Sequence, residues 1–197
     1  LAAALAELGE SSMALELARM ELGHMAELTE GMLARVRPAF GSRDLGALSQ
    51  QHDQVLVLRE AVLAYLQHVG RAELSDAEAD EHARLVAATG EIENLSAAIS
   101  RELAPLARTL KEANTTPSKE TTDLLERLFQ TIQESAQSAL RALVMGDERA
   151  AQAVVASREK ILALTSDLYR QQAARLAEDD PDRLLKHRVQ LEILDKL

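Results

Sequence analysis

The sequence predicts an all-α protein of six long antiparallel helices, arranged as two three-helix bundles. Three observations predict it. Apolar residues recur in steps of three and four along almost the whole chain. No segment shows the strict alternation of a half-buried strand. The breaks between periodic runs are short, which favours antiparallel neighbours. Of 197 residues, 47% are apolar but only 2% aromatic, so the core must be built from Leu, Val, Ile, Ala and Met.

Helix one carries Leu1, Leu5, Leu8, Ser12, Leu15, Ala18, Leu22, Met25, Thr29, Met32 and Val36 in one heptad row. At about 1.5 Å per residue it spans about 50 Å, and it is expected to end near Pro38. Met13 and Met20 are expected to join Met25 and Met32 in the core. Asp44 is placed to cap helix two. The row of helix two is Leu48, Gln51, Val55, Leu58, Val62, Tyr65 and Val69, and Gly70 stops it. Ser75-Asp76-Ala77-Glu78 is a capping box that opens helix three. Its row is Leu85, Ala88, Ile92, Leu95, Ile99, Leu103, Leu106 and Leu110. Pro105 removes a backbone donor and is expected to kink or split this helix.

Asn114-Thr115-Thr116-Pro117-Ser118 combines capping and helix-breaking residues, so the domains are expected at 1–114 and 115–197. Helix four uses Leu125, Leu128, Ile132, Ala136, Ala139 and Leu143. Gly146 stops it and Asp147 caps the next. Helix five uses Val154, Ser157, Ile161, Leu164, Leu168 and Gln171 and ends near Asp180. Asp180-Pro181 opens helix six, with Leu184, Leu191 and Leu194 on one side. The halves echo each other in their order of helices and reversals, a repeat of pattern rather than of residues.

The net charge is -10 and the Arg and Lys residues form no blocks, which argues against nucleic acid as a partner and against adhesion to an anionic membrane. No cysteine is present, which excludes disulfides and thiolate chemistry. No apolar stretch is long enough for a membrane span, so no direct membrane insertion is expected from these residues. No triad, paired carboxylate or glycine phosphate loop has the required spacing. Catalytic residues and cofactors are therefore expected to be none.

Two stretches carry a resemblance. The first is Ala14-Leu15-Glu16-Leu17-Ala18-Arg19-Met20-Glu21-Leu22, followed by Met25 and Leu28. The second is Ala156-Ser157-Arg158-Glu159-Lys160-Ile161, followed by Tyr169 and Arg175-Leu176. Both resemble the PhoU-like C-terminal domain of the bacterial Na/Pi-cotransporter family, and the order and lengths of the helices match across essentially the whole chain. The resemblance implies a PhoU-like fold and a regulatory or interaction role in phosphate uptake, not catalysis. It implies a place at the cytoplasmic face of the inner membrane, beside the transmembrane transporter domain of the same chain, with homodimerisation expected. It also implies that Leu1 follows the last membrane segment and that helix six is truncated.

PhoU proteins themselves bind metal clusters through acids four residues apart on adjacent helices. Here Asp53 is followed at that spacing by Val57, and Glu93 by Ala97. Metal ligands are accordingly expected to be none, with Asp53, Glu91 and Glu93 the sole candidates. In an antiparallel pair, His52 and Asp53 on helix two would lie near Glu91 and Glu93 on helix three, as a weak metal or phosphate-sensing patch. The plainer expectation is a solvated face, because residues two apart point in different directions. His24, His68, His82 and His187 lack a second histidine one turn away and are expected at the surface or rim. Glu81 and Arg84 read as surface charge decoration. Two further functions compete: a PhoU-type metal-cluster phosphate-signalling protein, and a generic helical scaffold or sensor.

Overall fold

The row predicted for helix one is the axis of the molecule. Leu15, Ala18, Leu22, Met25, Thr29 and Met32 are all buried, in the predicted steps of four and three. The computed structural model describes residues 2–39, 46–103 and 119–176. Among them are five helices and no strand: α1 (Ala2–Ala39), α2 (Gly46–Val69), α3 (Asp76–Ala98), α4 (Lys119–Met145) and α5 (Glu148–Leu176). A π-helical turn, Ile99–Leu103, continues α3. Asp44, Pro105, the boundary at Asn114 to Ser118, the end of helix five near Asp180 and the whole of helix six lie outside the described residues.

The helix pairs run as short links require. His52 on α2 meets Ser96 on α3, while His82, earlier on α3, meets Leu66, later on α2. That order is antiparallel. Ser135 meets Ser157 and Thr121 meets Gln171, so α4 and α5 are antiparallel too. α1 packs against both α2 and α3, which pack on each other. α4 lies across α1 and α3, and α5 packs along α4.

Helix one ends at Ala39, next to Pro38, where the sequence predicts its end. One expectation about it needs correction. Met13 and Met20 are not core: they are 63% and 62% exposed, whereas Met25 and Met32 are fully buried.

The seams also slip by one residue at defined places. Ser11 is buried rather than Ser12, His52 rather than Gln51, Leu66 rather than Tyr65, and Ser96 rather than Leu95. Leu48, Val55, Val62 and Val69 belong to either alternation of threes and fours, so they leave the intervening residue open. Packing from both sides decides it. The core hydroxyls are mostly satisfied on their own helices: Thr29 donates to the Met25 carbonyl (2.9 Å), Thr89 to Leu85 (2.7 Å) and Ser96 to Glu93 (2.8 Å).

The capping signals are present as predicted. The Glu78 amide donates to Ser75 Oγ (3.4 Å) and the Ser75 amide to Glu78 Oε2 (2.9 Å). Gly146 takes φ 64°, and Asp147 Oδ1 accepts from the amides of Arg149 (3.0 Å) and Ala150 (3.1 Å). Gly70 has a second reason to be glycine. A Cβ there would sit 3.0 Å from His82 Nε2, which bonds the Leu66 carbonyl at 2.8 Å.

The larger core joins α1, α2 and α3, and it also takes Leu140 and Val144 from the second half of α4. A smaller core joins Leu128 of α4 to Leu164 and Leu168 of α5. In α4 only Leu128 of the predicted row is fully buried; Leu125, Ile132, Ala136, Ala139 and Leu143 are half-buried, with Thr121, Thr131, Leu140 and Val144 inside. α4 therefore serves two cores with two faces, which broadens its apolar stripe.

Candidate functional site

The acids singled out from the sequence do not converge. Asp53 and Glu91 are exposed on α2 and α3. Glu93 is half-buried and faces Arg59 Nε at 3.9 Å. His52 is buried, and its Nδ1 lies 3.0 Å from Ser96 Oγ. Ser96 spends its only proton on the Glu93 carbonyl, so His52 Nδ1–H is the donor in that pair. His52 Nε2 then has no partner among the described residues. Antiparallel packing thus pairs imidazole with hydroxyl and guanidinium with carboxylate. Among the described residues no group of three or more His, Asp or Glu is placed to hold a metal ion.

Glu81 and Arg84 are more than surface decoration. Arg84 Nε and Nη2 grip Glu81 at 2.8 and 2.7 Å, and Nη1 reaches across to the Leu143 carbonyl at 2.8 Å. Arg19 of α1 donates to the same carboxylate and to Glu16 (2.7 Å). One acid on α3 thereby ties α1, and through Arg84 the end of α4. The Arg84 hydrogen bonds hold the Glu81 carboxyl below the usual range; partial burial opposes them, and Arg19 adds to the lowering. Glu81 in turn raises Arg19. The spacing alone could not reveal the tie, because both partners of Glu81–Arg84 sit far along the chain from Arg19 and Leu143.

The remaining histidines are mostly as expected. His24 is exposed and touches Glu21 at 3.2 Å. His68 is exposed and His82 half-buried; His187 lies outside the described residues.

A cleft that sequence reasoning missed lies where α2 ends against α1. Its volume is about 540 Å³, and Glu10, Ser11, Ala14, Tyr65, His68, Val69, Ala72 and Glu73 line it. Ser11, Ala14 and Val69 are the turned-in residues; Glu10, His68 and Glu73 form the rim. No sequence signal marked it, because the heptad row placed Ser12 rather than Ser11 inward.

Two apolar rows face outward. Met13, Leu17 (51% exposed) and Met20 follow one another at four and three residues on α1. Val155 and Leu162 are exposed two turns apart on α5. Among the described residues no helix is long and apolar enough to cross a membrane.

Comparison with protein-family models, with curated proteins and with solved structures finds no match to this chain.

Proposed function

We propose that this chain is a regulatory, protein-interacting domain of a sodium-dependent phosphate transporter. In this reading its helices form two three-helix bundles of the PhoU-like kind, with residues 177–197 supplying the sixth helix. It works at the cytoplasmic face of the inner membrane against its own transmembrane domain and pairs with a second copy. The observation that carries the reading is the outward row Met13, Leu17 and Met20, which lies within and beside the stretch that resembles the family. Exposed methionine and leucine at helical spacing suit an adaptable helix-docking surface.

The test is sodium-driven uptake of labelled phosphate by cells expressing the full polypeptide that contains this segment. Changing Met13, Leu17 and Met20 together to Gln should alter the phosphate dependence of uptake while the helical content of the isolated chain is kept. Sedimentation of the same variant should show weaker self-association. Uptake that needs no sodium, or that is indifferent to the triple variant, overturns the reading.

A further inference from the structure

The outward row of α1 carries acids along both of its edges. At about 100° per residue, Met13, Leu17 and Met20 fall within about 60° of one another, on the side of α1 away from its buried seam. Glu10 and Glu21 fall to one side of that stripe, Glu16 and Glu27 to the other, and all four are exposed. We propose that the occupant of this face is a cationic amphipathic helix of a protein partner, with an apolar stripe flanked by Lys or Arg. The proposal rests on the docking role given above and names the chemistry of the partner.

Charge is the first argument. From residue 10 to residue 27 the exposed positions of α1 include these glutamates and no lysine or arginine. Glu16 lies 2.7 Å from Arg19, but Arg19 is half-buried and also donates to Glu81 on α3. Glu21 meets His24 at 3.2 Å, both of them exposed. Exposed local pairs contribute little, so the face keeps a surplus of negative charge. Lys or Arg on an incoming helix complements it.

The second argument is shape. Methionine and leucine at steps of four and three present one continuous ridge to one facing helix. Methionine repacks easily, which suits a partner that comes and goes. The acids extend over about 25 Å of α1, the length of a facing helix of about five turns.

The same charges sort the alternatives. An anionic membrane surface would meet carboxylates along the whole stripe. A second copy would bring its own acids to the contact. Of the two partners proposed above, charge therefore favours the transmembrane domain, because cytoplasmic segments beside membrane spans carry an excess of Lys and Arg. The outward pair on α5 has no such pattern: Val155 and Leu162 lie beside Arg158, Glu159 and Lys160, which are mixed in sign.

The experiment is fluorescence-anisotropy titration of a labelled synthetic helix with the 197-residue chain. The peptide has about five turns, leucine along one stripe and lysine on both flanks. A second peptide carries glutamate in place of lysine, and a third carries serine in place of leucine. Saturable one-to-one binding of the first is expected, about tenfold or more tighter than either of the others, and it should weaken about tenfold from low to high salt. Glu21→Gln with Glu27→Gln should weaken it about fivefold. Met13→Gln, Leu17→Gln and Met20→Gln together should abolish it. On α5, Glu148→Gln with Glu159→Gln, and separately Val155→Gln with Leu162→Gln, should leave affinity within about twofold. Thermal unfolding of each variant separates lost binding from lost fold. Absence of saturable binding, equal binding of the glutamate peptide, an equal loss in either α5 control, adhesion of the chain to phosphatidylglycerol vesicles through the same row, or self-association through the row that the lysine peptide does not displace overturns the proposal. Phosphate uptake that still responds to the Met13, Leu17 and Met20 change would then leave the docking role standing. Uptake indifferent to that change, beside charge-selective peptide binding, supports the cationic partner and overturns the transporter instead.

Discussion

Replacing Arg84 with Met tests whether α4 is held to the first three helices by a charged tie or by its apolar face alone. The substitution removes two forked hydrogen bonds to Glu81 and one to the Leu143 carbonyl. Bonds to charged groups are worth about 1.5–3 kcal/mol each when buried. The Arg84 side chain is 33% exposed and Glu81 21%, so solvent screening pulls the pair toward the surface value of about 0.5–1 kcal/mol. Glu81 also keeps Arg19. The Leu143 carbonyl loses a partner that reached it from another helix. A net loss of about 1.5–2.5 kcal/mol follows, because methionine preserves the packing of the stem.

Urea unfolding followed by circular dichroism at neutral pH measures this directly. In a separate thermal melt the midpoint should fall by about 2–4 °C for each kcal/mol lost, for a chain of this size. Amide exchange should quicken around residues 140–147, where α4 turns into α5. Arg84→Lys keeps the charge but not the planar fork, so it should recover less than half of the loss. Glu81→Gln combined with Arg84→Met should cost less than the sum of the two single changes. A loss under about 0.5 kcal/mol with unchanged exchange would show that Leu140 and Val144 suffice, and the tie would be ornamental.

Three further outcomes are expected. His52→Leu should be neutral or stabilising by up to about 1 kcal/mol in urea unfolding, since it removes an unpartnered Nε2 and leaves Ser96 bonded to the Glu93 carbonyl; a loss above about 2 kcal/mol would contradict the unpaired nitrogen. The Glu81 and Asp147 carboxyls are both held below their ordinary values, Asp147 chiefly by the Ala150 amide. Their contribution is therefore complete above the unfolded carboxylate pKa of about 4 and is lost as pH falls through the lower folded values, so Glu81→Gln should flatten the acid limb of a stability profile. Gly146→Ala should cost about 1 kcal/mol, because φ 64° is strained for alanine while its Cβ would meet Arg84 Nη1 at an ordinary 3.6 Å; a larger loss in a thermal melt would point to a clash instead.

What the sequence disclosed and what it hid divide along physical lines. Local signals were readable. The Ser75–Glu78 box, the stop at Gly70 and the Gly146–Asp147 turn depend on residues within a few positions, and each forms as read. Invariant members of a heptad row were readable for the same reason: Leu15, Leu22, Val55, Val62, Leu85 and Ile92 face inward under either alternation. What depended on a second helix was not. His52 displaces Gln51 from the seam where Ser96 on α3 displaces Leu95, and the two meet. Arg19, Glu81 and Leu143 come together across three helices. The predicted acids Asp53, Glu91 and Glu93 share a pair of helices but not a point. Met13 and Met20 were assigned to the core by residue type, although a helix that packs on one side must leave some residues of any type outside.

The place of the cleft follows from lengths. α1 has 38 residues and α2 has 24, so at about 1.5 Å per residue α2 covers about 36 Å of an axis about 57 Å long. α2 stops at Val69, and the antiparallel order sets that end against Glu10 and Ala14 rather than against the start of α1. Ser11 is buried at that end. Among the described residues the rest of the seam is filled by leucine, methionine, His52 and hydroxyls bonded to their own helices. Packing leaves the outward row Met13, Leu17 and Met20 uncovered on the other side of α1.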